Sequence, residues 1–449
     1  MFAYASIFQA LLAFGMETTF FRYLNKFSDK KNQVYNNGFW VIFTVTICFL
    51  LLTVPFTHTL AGLIKIGKDI PQNEFELYIK FFIGILILDA WCVIPFAKLR
   101  ADDRPIKYGT IKVINIIVTV SLNVIFIMVI PYWIRHKLYG WQWFSHWYVH
   151  GWVAYAFLSN LISSFVTLLM LLPELLKLQL KFDKVMFRQM LIYSGPILVA
   201  NLSYLVNENL DKILLGKLLP ANISEQEVGI YSACARLSIF ASLFNQAFRM
   251  GAEPFFFSHA KNKNAGYTYA RIMDYFVITM CIMFLGVVAN IEILKHYVNN
   301  KAYWVGLDVV PPLLFGYVAL GVYMNLSVWY KLSDQTRYGL YISCIGAMAT
   351  IILNVAFIPK YSYMASAWAS LIAYTIMMVL SYIWGQKNYP IPYHLKKNLS
   401  YIIISLILVY LSFYVFKRNI FVGNVLLVIF ACGALLIEGK ELKAIFIKR

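Results

Sequence analysis

Long apolar stretches follow one another along almost the whole chain, and only short polar breaks separate them. A helix of about 20 apolar residues crosses roughly 30 Å of hydrocarbon, so each stretch is long enough to span a bilayer. Hydrophobic residues make up 61% of the sequence and Asp, Glu, Lys and Arg only 13%. A soluble domain carries about 25% charged residues. The stretches are continuous rather than alternating, which argues against a membrane β-barrel. The sequence therefore predicts an all-α integral membrane protein.

Thirteen membrane-spanning helices are predicted from these stretches. They cover residues 2–22, 39–64, 77–98, 108–133, 147–174, 190–216, 228–257, 267–296, 304–330, 338–358, 363–385, 397–416 and 419–437. Lys and Arg concentrate in the loops after the odd-numbered spans up to the eleventh and in the C-terminal tail. Basic loops stay in the cytoplasm, so the C-terminus is predicted to be cytoplasmic. The N-terminus then lies outside with no signal peptide, and we expect one further helix ahead of residue 1.

The sequence repeats itself at an offset of six predicted helices. The strongest matches pair Lys98-Leu99, Tyr108-Gly109 and Leu122-Asn123-Val124 with Lys331-Leu332, Tyr338-Gly339 and Leu353-Asn354-Val355. Glu17 with Phe20-Phe21 likewise matches Glu253 with Phe256-Phe257. An even offset gives both copies the same orientation, and parallel repeats form two lobes with a substrate path between them. We predict an N-lobe at 1–175, an amphipathic cytoplasmic linker helix at 176–189, a C-lobe at 190–390 and two additional transmembrane helices with a cytoplasmic tail at 391–449.

Charged side chains are concentrated in the two predicted helices at 190–257. Charges at membrane depth are costly and usually face a water-filled cavity or another charge. Asp211 and Arg236 lie at similar depths and are expected to pair, either as a structural salt bridge or as an outer gate. The polar residues of this stretch are Asn207, Glu208, Asp211, Lys212, Arg236, Arg249 and Glu253.

Arginine holds phosphate oxygens through two parallel hydrogen bonds, so arginines that face a cavity are candidates to bind a phosphate-bearing lipid. Arg249 is the first candidate and Arg22 the second, with Lys212 and Arg236 as further cations. The alternative for Arg22 is that its side chain only reaches up to the cytoplasmic interface.

Carboxyl groups inside the spans are candidates for coupling transport to H⁺ or Na⁺. Burial raises a carboxyl pKa and a nearby arginine lowers it, so such a group can change protonation between two conformations. The candidates are Glu17, Asp89, Glu208 and Glu253, and Asn207 and Asp211 are further candidates for ion coupling or for the gate.

Several of these stretches together resemble the Wzx-type oligosaccharide flippases of the MATE-like MOP superfamily. The resemblance rests on Gly15-Met16-Glu17-Thr18, Ile94-Pro95-Phe96-Ala97-Lys98, Asp211-Lys212-Ile213, Val228-Gly229-Ile230-Tyr231 and Phe248-Arg249-Met250. It implies a bundle of 14 helices, of which this chain lacks the first. It also implies an undecaprenyl-diphosphate-linked oligosaccharide as substrate, moved by alternating access across a bacterial inner membrane for O-antigen, capsule or exopolysaccharide synthesis.

Other function classes fit the sequence less well. A membrane glycosyltransferase or polymerase needs catalytic groups on a sizeable outer loop, and the predicted outer loops are short. No phosphate-binding loop or metalloprotease motif is present, and the six cysteines form no zinc motif, so we expect no enzyme activity, cofactor or metal. The net charge of +18 lies beside membrane spans, which argues for membrane lipids rather than nucleic acid as partner. An ion-coupled multidrug exporter of the MATE type remains the main alternative.

Overall fold

The computed structural model of the protein describes residues 2–64, 72–179, 182–260, 262–298 and 300–447. These residues form helices and connecting turns, and no β-strand occurs among them. Eleven helices within the described ranges are long and apolar enough to cross a membrane. The all-α multi-pass prediction is therefore confirmed at this level.

The chain divides into two compact units, Met1–Leu198 and Val199–Arg449. Unit 1 contains α1 Phe2–Ala13, α2 Met16–Lys26, α3 Lys31–Thr53, α4 Thr57–Ile64, α5 Gln72–Ala101, α6 Pro105–Val124, α7 Ile130–Arg135, α8 Trp141–Trp147, α9 Ala154–Met170 and α10 Leu172–Leu175. The boundary between the units falls within α11 Lys184–Leu218.

Unit 2 continues with ten further helices. They are α12 Ala221–Ala235, α13 Ile239–His259, α14 Ala265–Ala289, α15 Ile291–Leu294, α16 Val310–Leu326, α17 Val328–Leu332, α18 Arg337–Tyr361, α19 Tyr363–Asn388, α20 Leu395–Tyr410 and α21 Ile420–Ile447. Short 3₁₀ turns lie at Ser28–Lys30, Arg236–Ser238, Lys295–Tyr297 and Lys301–Val309, and π-turns at Ile125–Val129 and Leu411–Val415.

Two of the predicted spans have no counterpart among the eleven candidates. The first, at 2–22, is broken into α1 and α2, because Phe14 and Gly15 have φ angles of 50° and 63°. Glycine tolerates this left-handed conformation, and a Cβ on Gly15 would lie only 3.0 Å from the backbone oxygen of Ser194. The fifth, at 147–174, is reduced to the 17 residues of α9. The helices α1, α2 and α9 are all too short to count as candidate spans. This explains why the structure has eleven candidate spans where the sequence predicts thirteen.

The amphipathic helix predicted at 176–189 does not form as one helix. Residues 176–177 form a turn, residues 178–179 and 182–183 are irregular, and α11 begins at Lys184. The side chains of α3 bind this backbone: Asn36 Oδ1 accepts the N–H of Gln179 and Asn37 Oδ1 accepts the N–H of Asp183, each at 3.2 Å. Asp183 Oδ1 in turn accepts the N–H of Met186 at 3.0 Å and caps α11. These hydrogen bonds replace those that a helix would have made.

Unit 1 packs around α5, which contacts α1, α2, α3, α4 and α9. Successive turns of α5 bury Phe75, Tyr78 and Ile83 in one apolar cluster with Phe157 of α9. α6 also packs on α9, yet its outer face stays exposed and apolar, with Ile116 and Val120 more than half exposed. An exposed face of this composition is typical of a helix that contacts lipid.

Unit 2 packs around α16, which contacts α13, α14 and α19. Small residues allow the close approach: a Cβ on Gly321 would lie 2.3 Å from Asn245 Oδ1 of α13 and 2.6 Å from the ring of Phe276 of α14. Asn245 Nδ2 donates to the carbonyl oxygen of Tyr317 at 2.8 Å, which fixes α13 against α16. This crossing sets the position of the residues that follow it on both helices.

The two C-terminal helices belong to unit 2 and pack against α14. Asn290 and Asn424 exchange amide hydrogen bonds of 3.2 and 3.1 Å. At the other end of α14, Lys397 lies 3.3 Å from Asp274 and 2.7 Å from Glu438. Both carboxylates are almost fully buried, so one lysine neutralises part of the charge of both and joins α14, α20 and α21.

Candidate functional site

The candidate site is a small pocket of unit 2, which we call the basic pocket. α13 contributes Arg249 and Glu253, which are four residues apart and therefore on the same face of the helix. Asn325 comes from the last turn of α16, and Lys331 comes from α17. The break between α16 and α17 at Ser327, whose hydroxyl donates to the carbonyl oxygen of Met324 at 2.6 Å, turns the chain so that both residues line the pocket.

The polar groups of the basic pocket differ in whether they have hydrogen-bond or ion-pair partners. Lys331 Nζ lies 3.2 Å from Glu253 Oε1, and their side chains are only 17% and 10% exposed. Asn325 is buried, and its Nδ2 group donates to no atom in the part of the chain that the structure describes. Arg249 is exposed, and no described carboxylate forms an ion pair with it. The pocket thus offers two cations and a buried amide donor against one carboxylate.

The walls of the basic pocket are apolar. Phe248, Phe256, Phe257, Met324 and Val328 line it. Its cavity of about 20 Å³ holds one or two water molecules, so a larger anion enters only after the charged side chains part. Cations in apolar surroundings attract an anion more strongly than they do in water. The chemistry of the pocket therefore favours a phosphate-like anion with an apolar group attached.

Glu17 and Arg22, the predicted residues of the first span, both lie on α2. Glu17 forms a close ion pair with Arg100 at the end of α5. Arg22 is half-buried and follows Glu17 by five residues, so the two do not share a face. The roles predicted for them, ion coupling and phosphate binding, stay predictions.

Asp89 lies on α5 in unit 1 and is half-buried. Its neighbours are Ser164 of α9 and Lys112 of α6, so it sits where three helices meet. Lys112 is held over the ring of Phe96 at 4.4 Å from the ring centre. Glu17 and Glu253 each form an ion pair with a cation, and Asp89 differs from both because its hydrogen-bond partner is a hydroxyl.

Asp211 and Arg236 do not form the predicted pair in the structure. Asp211 is buried and accepts a short hydrogen bond from the Tyr231 hydroxyl, while its other oxygen accepts the N–H of Lys212 at 2.8 Å. Arg236 lies in a 3₁₀ turn and its side chain is exposed. The prediction assumed one helix across 228–257, but the turn at Arg236–Ser238 separates α12 from α13 and changes the direction of that side chain.

Three candidates of the 190–257 stretch remain, and the structure describes the side chain of one of them. Lys212 is half-buried on α11, next to Asp211 in sequence. Asn207 and Glu208 belong to α11, but their side chains lie outside the described residues.

Lys331 and Asn325 were not predicted as site residues. Lys331 was part of the repeat, where it matched Lys98, and this match was a signal that its position matters. Asn325 lies in the apolar stretch 304–330 and carries no charge, so nothing in the sequence distinguishes it from a structural asparagine. Its unsatisfied amide group appears only once the helices are packed.

Glu174, which was also missed, carries a cluster of cations in unit 1. Lys177 and Lys98 lie 2.9 and 3.2 Å from its carboxylate, and Lys107 and Arg104 lie 3.7 and 3.9 Å away. Burial raises the pKa of Glu174, but the hydrogen bonds from Lys177 and Lys98 outweigh this and hold the pKa below its ordinary value. The cluster joins α5, α6 and α10 and is the main electrostatic contact of the 98–107 loop.

A larger cavity of about 590 Å³ lies in unit 1 beside α7 and α8. Tyr132, Arg135, His136, Tyr148 and His150 are among its lining residues. Several aromatic side chains around it are exposed, which is typical of a belt of aromatic residues at the membrane interface.

Comparison with known proteins gives a family and a fold. The profile of the family described as polysaccharide biosynthesis protein matches residues 1–257. No curated protein sequence matches the chain. A point mutant of the Vibrio cholerae MATE transporter VcmN is similar in structure, with a TM-score of 0.69, 15% identity and 85% of each chain covered. The bent form of VcmN gives 0.68 at 14% identity, covering 88% of this chain and 87% of that one.

A third similar structure is described as the outward-facing conformation of a multidrug resistance MATE family transporter of the MOP superfamily. It has a TM-score of 0.65 and 13% identity and covers 86% of this chain and 85% of its own. Identities this low show a shared fold, and what these transporters carry is a property of those proteins. The resemblance to MATE-like proteins seen in the sequence is confirmed by the fold.

Proposed function

Because the chain belongs to the polysaccharide biosynthesis protein family, we propose that it moves an undecaprenyl-diphosphate-linked oligosaccharide from the inner to the outer leaflet of a bacterial cytoplasmic membrane. The protein is a multi-pass membrane transporter with the fold of the MOP superfamily. The substrate, the direction of movement and a cytoplasmic C-terminus are parts of the proposal.

The observation that supports this substrate best is the composition of the basic pocket. A diphosphate presents several anionic oxygens, which suit the guanidinium of Arg249, the ammonium of Lys331 and the unsatisfied amide of Asn325. The aromatic walls suit the apolar chain that follows the diphosphate. Arg22, Lys212 and Arg236 remain proposed secondary cations.

Coupling to H⁺ or Na⁺ is proposed to act through the carboxyl groups. Glu17 and Glu253 each form an ion pair, whereas Asp89 has a hydrogen bond from the Ser164 hydroxyl and is influenced by the charge of Lys112. A carboxyl group without a tight cation partner gains a proton more readily. Asp89 is therefore the coupling residue that we favour among those described.

The experiment is transport by the purified protein in liposomes that contain a fluorescent polyprenyl-diphosphate oligosaccharide. Flipping is measured as the fraction of label that a membrane-impermeant quencher reaches over time. We expect Arg249→Ala to slow flipping at least about tenfold, since one charge-assisted bidentate contact contributes about 1.5–3 kcal/mol. The control is Arg337→Gln, which removes an exposed arginine of unit 2 outside the basic pocket. Flipping by Arg249→Ala at the rate of the control contradicts the role of the pocket.

Export of cationic drugs is the second candidate function, because the similar solved structures include a multidrug resistance transporter. The two functions predict opposite effects of charge. A drug exporter gains cationic substrate when Arg249 is neutralised, whereas a diphosphate transporter loses substrate. Uptake of ethidium into inverted vesicles, compared between wild type and Arg249→Ala, separates them.

A further inference from the structure

Unit 1 contains a second ion pair with the same sequence setting as the pair in the basic pocket. Glu253 precedes Phe256-Phe257 by three residues and bonds to Lys331. Glu17 precedes Phe20-Phe21 by three residues and bonds to Arg100. In both units a carboxylate on one helix thus holds a cation that follows a long apolar helix.

Other contacts around the two pairs also correspond. Phe96 and Tyr108 have ring centres 5.2 Å apart in unit 1, and Trp329 and Tyr338, at the matching positions of the repeat, have ring centres 5.1 Å apart in unit 2. The first ring of each pair lies two residues before the repeated lysine, and the second ring belongs to the repeated Tyr-Gly. These contacts support the proposed repeat.

The two units differ in which lysine or arginine is used. Lys98 matches Lys331 in the repeat, but Lys98 bonds to Glu174 instead. Arg100, two residues later, takes the place of Lys331 at Glu17. Unit 1 therefore also has a cation beside its carboxylate, but this cation is an arginine, which binds phosphate through two parallel hydrogen bonds.

The exposure of the unit 1 pair shows which partner can leave. The Arg100 side chain is 8% exposed and the Glu17 side chain 42%. Arg100 is also held by rings, with its guanidinium carbon 5.0 Å from the centre of Phe21 and 5.6 Å from that of Tyr108. Glu17 can turn into water at little cost, whereas Arg100 stays in place and needs a replacement anion.

We propose that Arg100 is a second diphosphate-binding cation, which Glu17 occupies until a phosphate oxygen takes the place of its carboxylate. This inference rests on the proposed function, because a diphosphate is the substrate group that exchanges with the carboxylate. The exchange leaves Arg100 with an anionic partner throughout, so no buried charge is left without one. A phosphate wins the exchange because it carries more charge and more acceptor oxygens than a carboxylate.

The test measures binding of inorganic pyrophosphate to the full chain in lipid nanodiscs by calorimetry. Glu17→Gln removes the competing charge, and we expect pyrophosphate to bind roughly three- to tenfold more tightly, about 0.7–1.4 kcal/mol. Asp103→Asn is the matched control, since it makes the same change of charge at an exposed position of unit 1 whose φ of 52° asparagine tolerates. We expect Asp103→Asn to bind as wild type does.

A second substitution shows that the gain comes from Arg100. The double variant with Glu17→Gln and Arg100→Gln is expected to lose the gain, and Glu17→Gln with Arg100→Lys to keep most of it. Equal affinity of Glu17→Gln and Asp103→Asn overturns the proposal, as does a gain that survives Arg100→Gln. Both results leave the basic pocket of unit 2 untouched, so they are distinct from failure of the proposed function, which Arg249→Ala tests.

Discussion

Replacing Lys331 by methionine is the perturbation whose effect the structure defines best. Methionine keeps the length of the side chain and removes its charge, so Glu253 loses the ammonium that lies 3.2 Å from it. Breaking a fully buried ion pair costs about 3–5 kcal/mol, and exposed pairs contribute about 0–1 kcal/mol. Since the two side chains are 17% and 10% exposed, we expect a loss of about 2–3 kcal/mol. Glu253→Gln keeps an oxygen that accepts from Lys331 and is expected to cost about 1 kcal/mol.

A double-mutant cycle isolates the pair. The mostly buried carboxylate of Glu253 is expected to destabilise the fold only when Lys331 is missing. Adding Glu253→Gln to Lys331→Met should therefore restore part of the stability lost in Lys331→Met, with a coupling energy of about 1–2 kcal/mol. Reversible unfolding in mixed micelles, followed by tryptophan fluorescence, measures it. The pair Lys80 and Glu76, 2.9 Å apart with side chains 52% and 21% exposed, serves as control and should couple more weakly. Equal coupling in the two cycles refutes the reasoning.

Two further predictions concern how the helices are held. Gly321→Ala places a methyl group 2.3 Å from Asn245 Oδ1, so we expect the free energy of unfolding to fall by about 1–3 kcal/mol and flipping to slow. The control is Gly251→Ala, which lies on the same helix as Asn245 and has open space around it. It should be neutral or stabilising in the same unfolding assay. Glu174→Gln should destabilise by about 1–3 kcal/mol at pH 7, since three of its four cations are 39–55% exposed. The folded pKa of Glu174 lies below its ordinary value, so its contribution is present above pH about 4.5 and is lost as the pH falls below that. A difference between Glu174→Gln and wild type that stays constant from pH 7 to pH 4 contradicts this account.

Helix type and most helix positions could be predicted from the sequence, because long apolar stretches leave few alternatives in a membrane. Breaks inside such stretches could not. Gly15 reads as an ordinary small residue, and only the approach of Ser194 shows why the chain bends there. The sequence at 176–183 has a helix-like pattern, but Gln179 and Asp183 donate their backbone N–H groups to the side-chain amides of Asn36 and Asn37, 143 and 146 residues away.

Arg249 and Glu253 could be predicted from the sequence as site residues, and the cations that pair with the predicted carboxylates could not. Arg249 and Glu253 share a face because of their spacing, which the sequence states directly. The partners of Glu253 and Glu17, Lys331 and Arg100, lie 78 and 83 residues away along the chain. Pairing across such distances depends on helix packing, which one sequence without its relatives does not determine.

The central claim is that the basic pocket receives the diphosphate end of a lipid. The most direct measurement replaces Met324, in the pocket wall, by a photoreactive phenylalanine analogue and irradiates the protein with a radiolabelled polyprenyl diphosphate. The same analogue in place of Ile352, which is 61% exposed on α18, is the control for contact with bulk lipid. We predict labelling at position 324 that pyrophosphate suppresses, and labelling at position 352 that pyrophosphate leaves unchanged. Equal labelling at both positions, or labelling at 324 that pyrophosphate does not reduce, contradicts the claim.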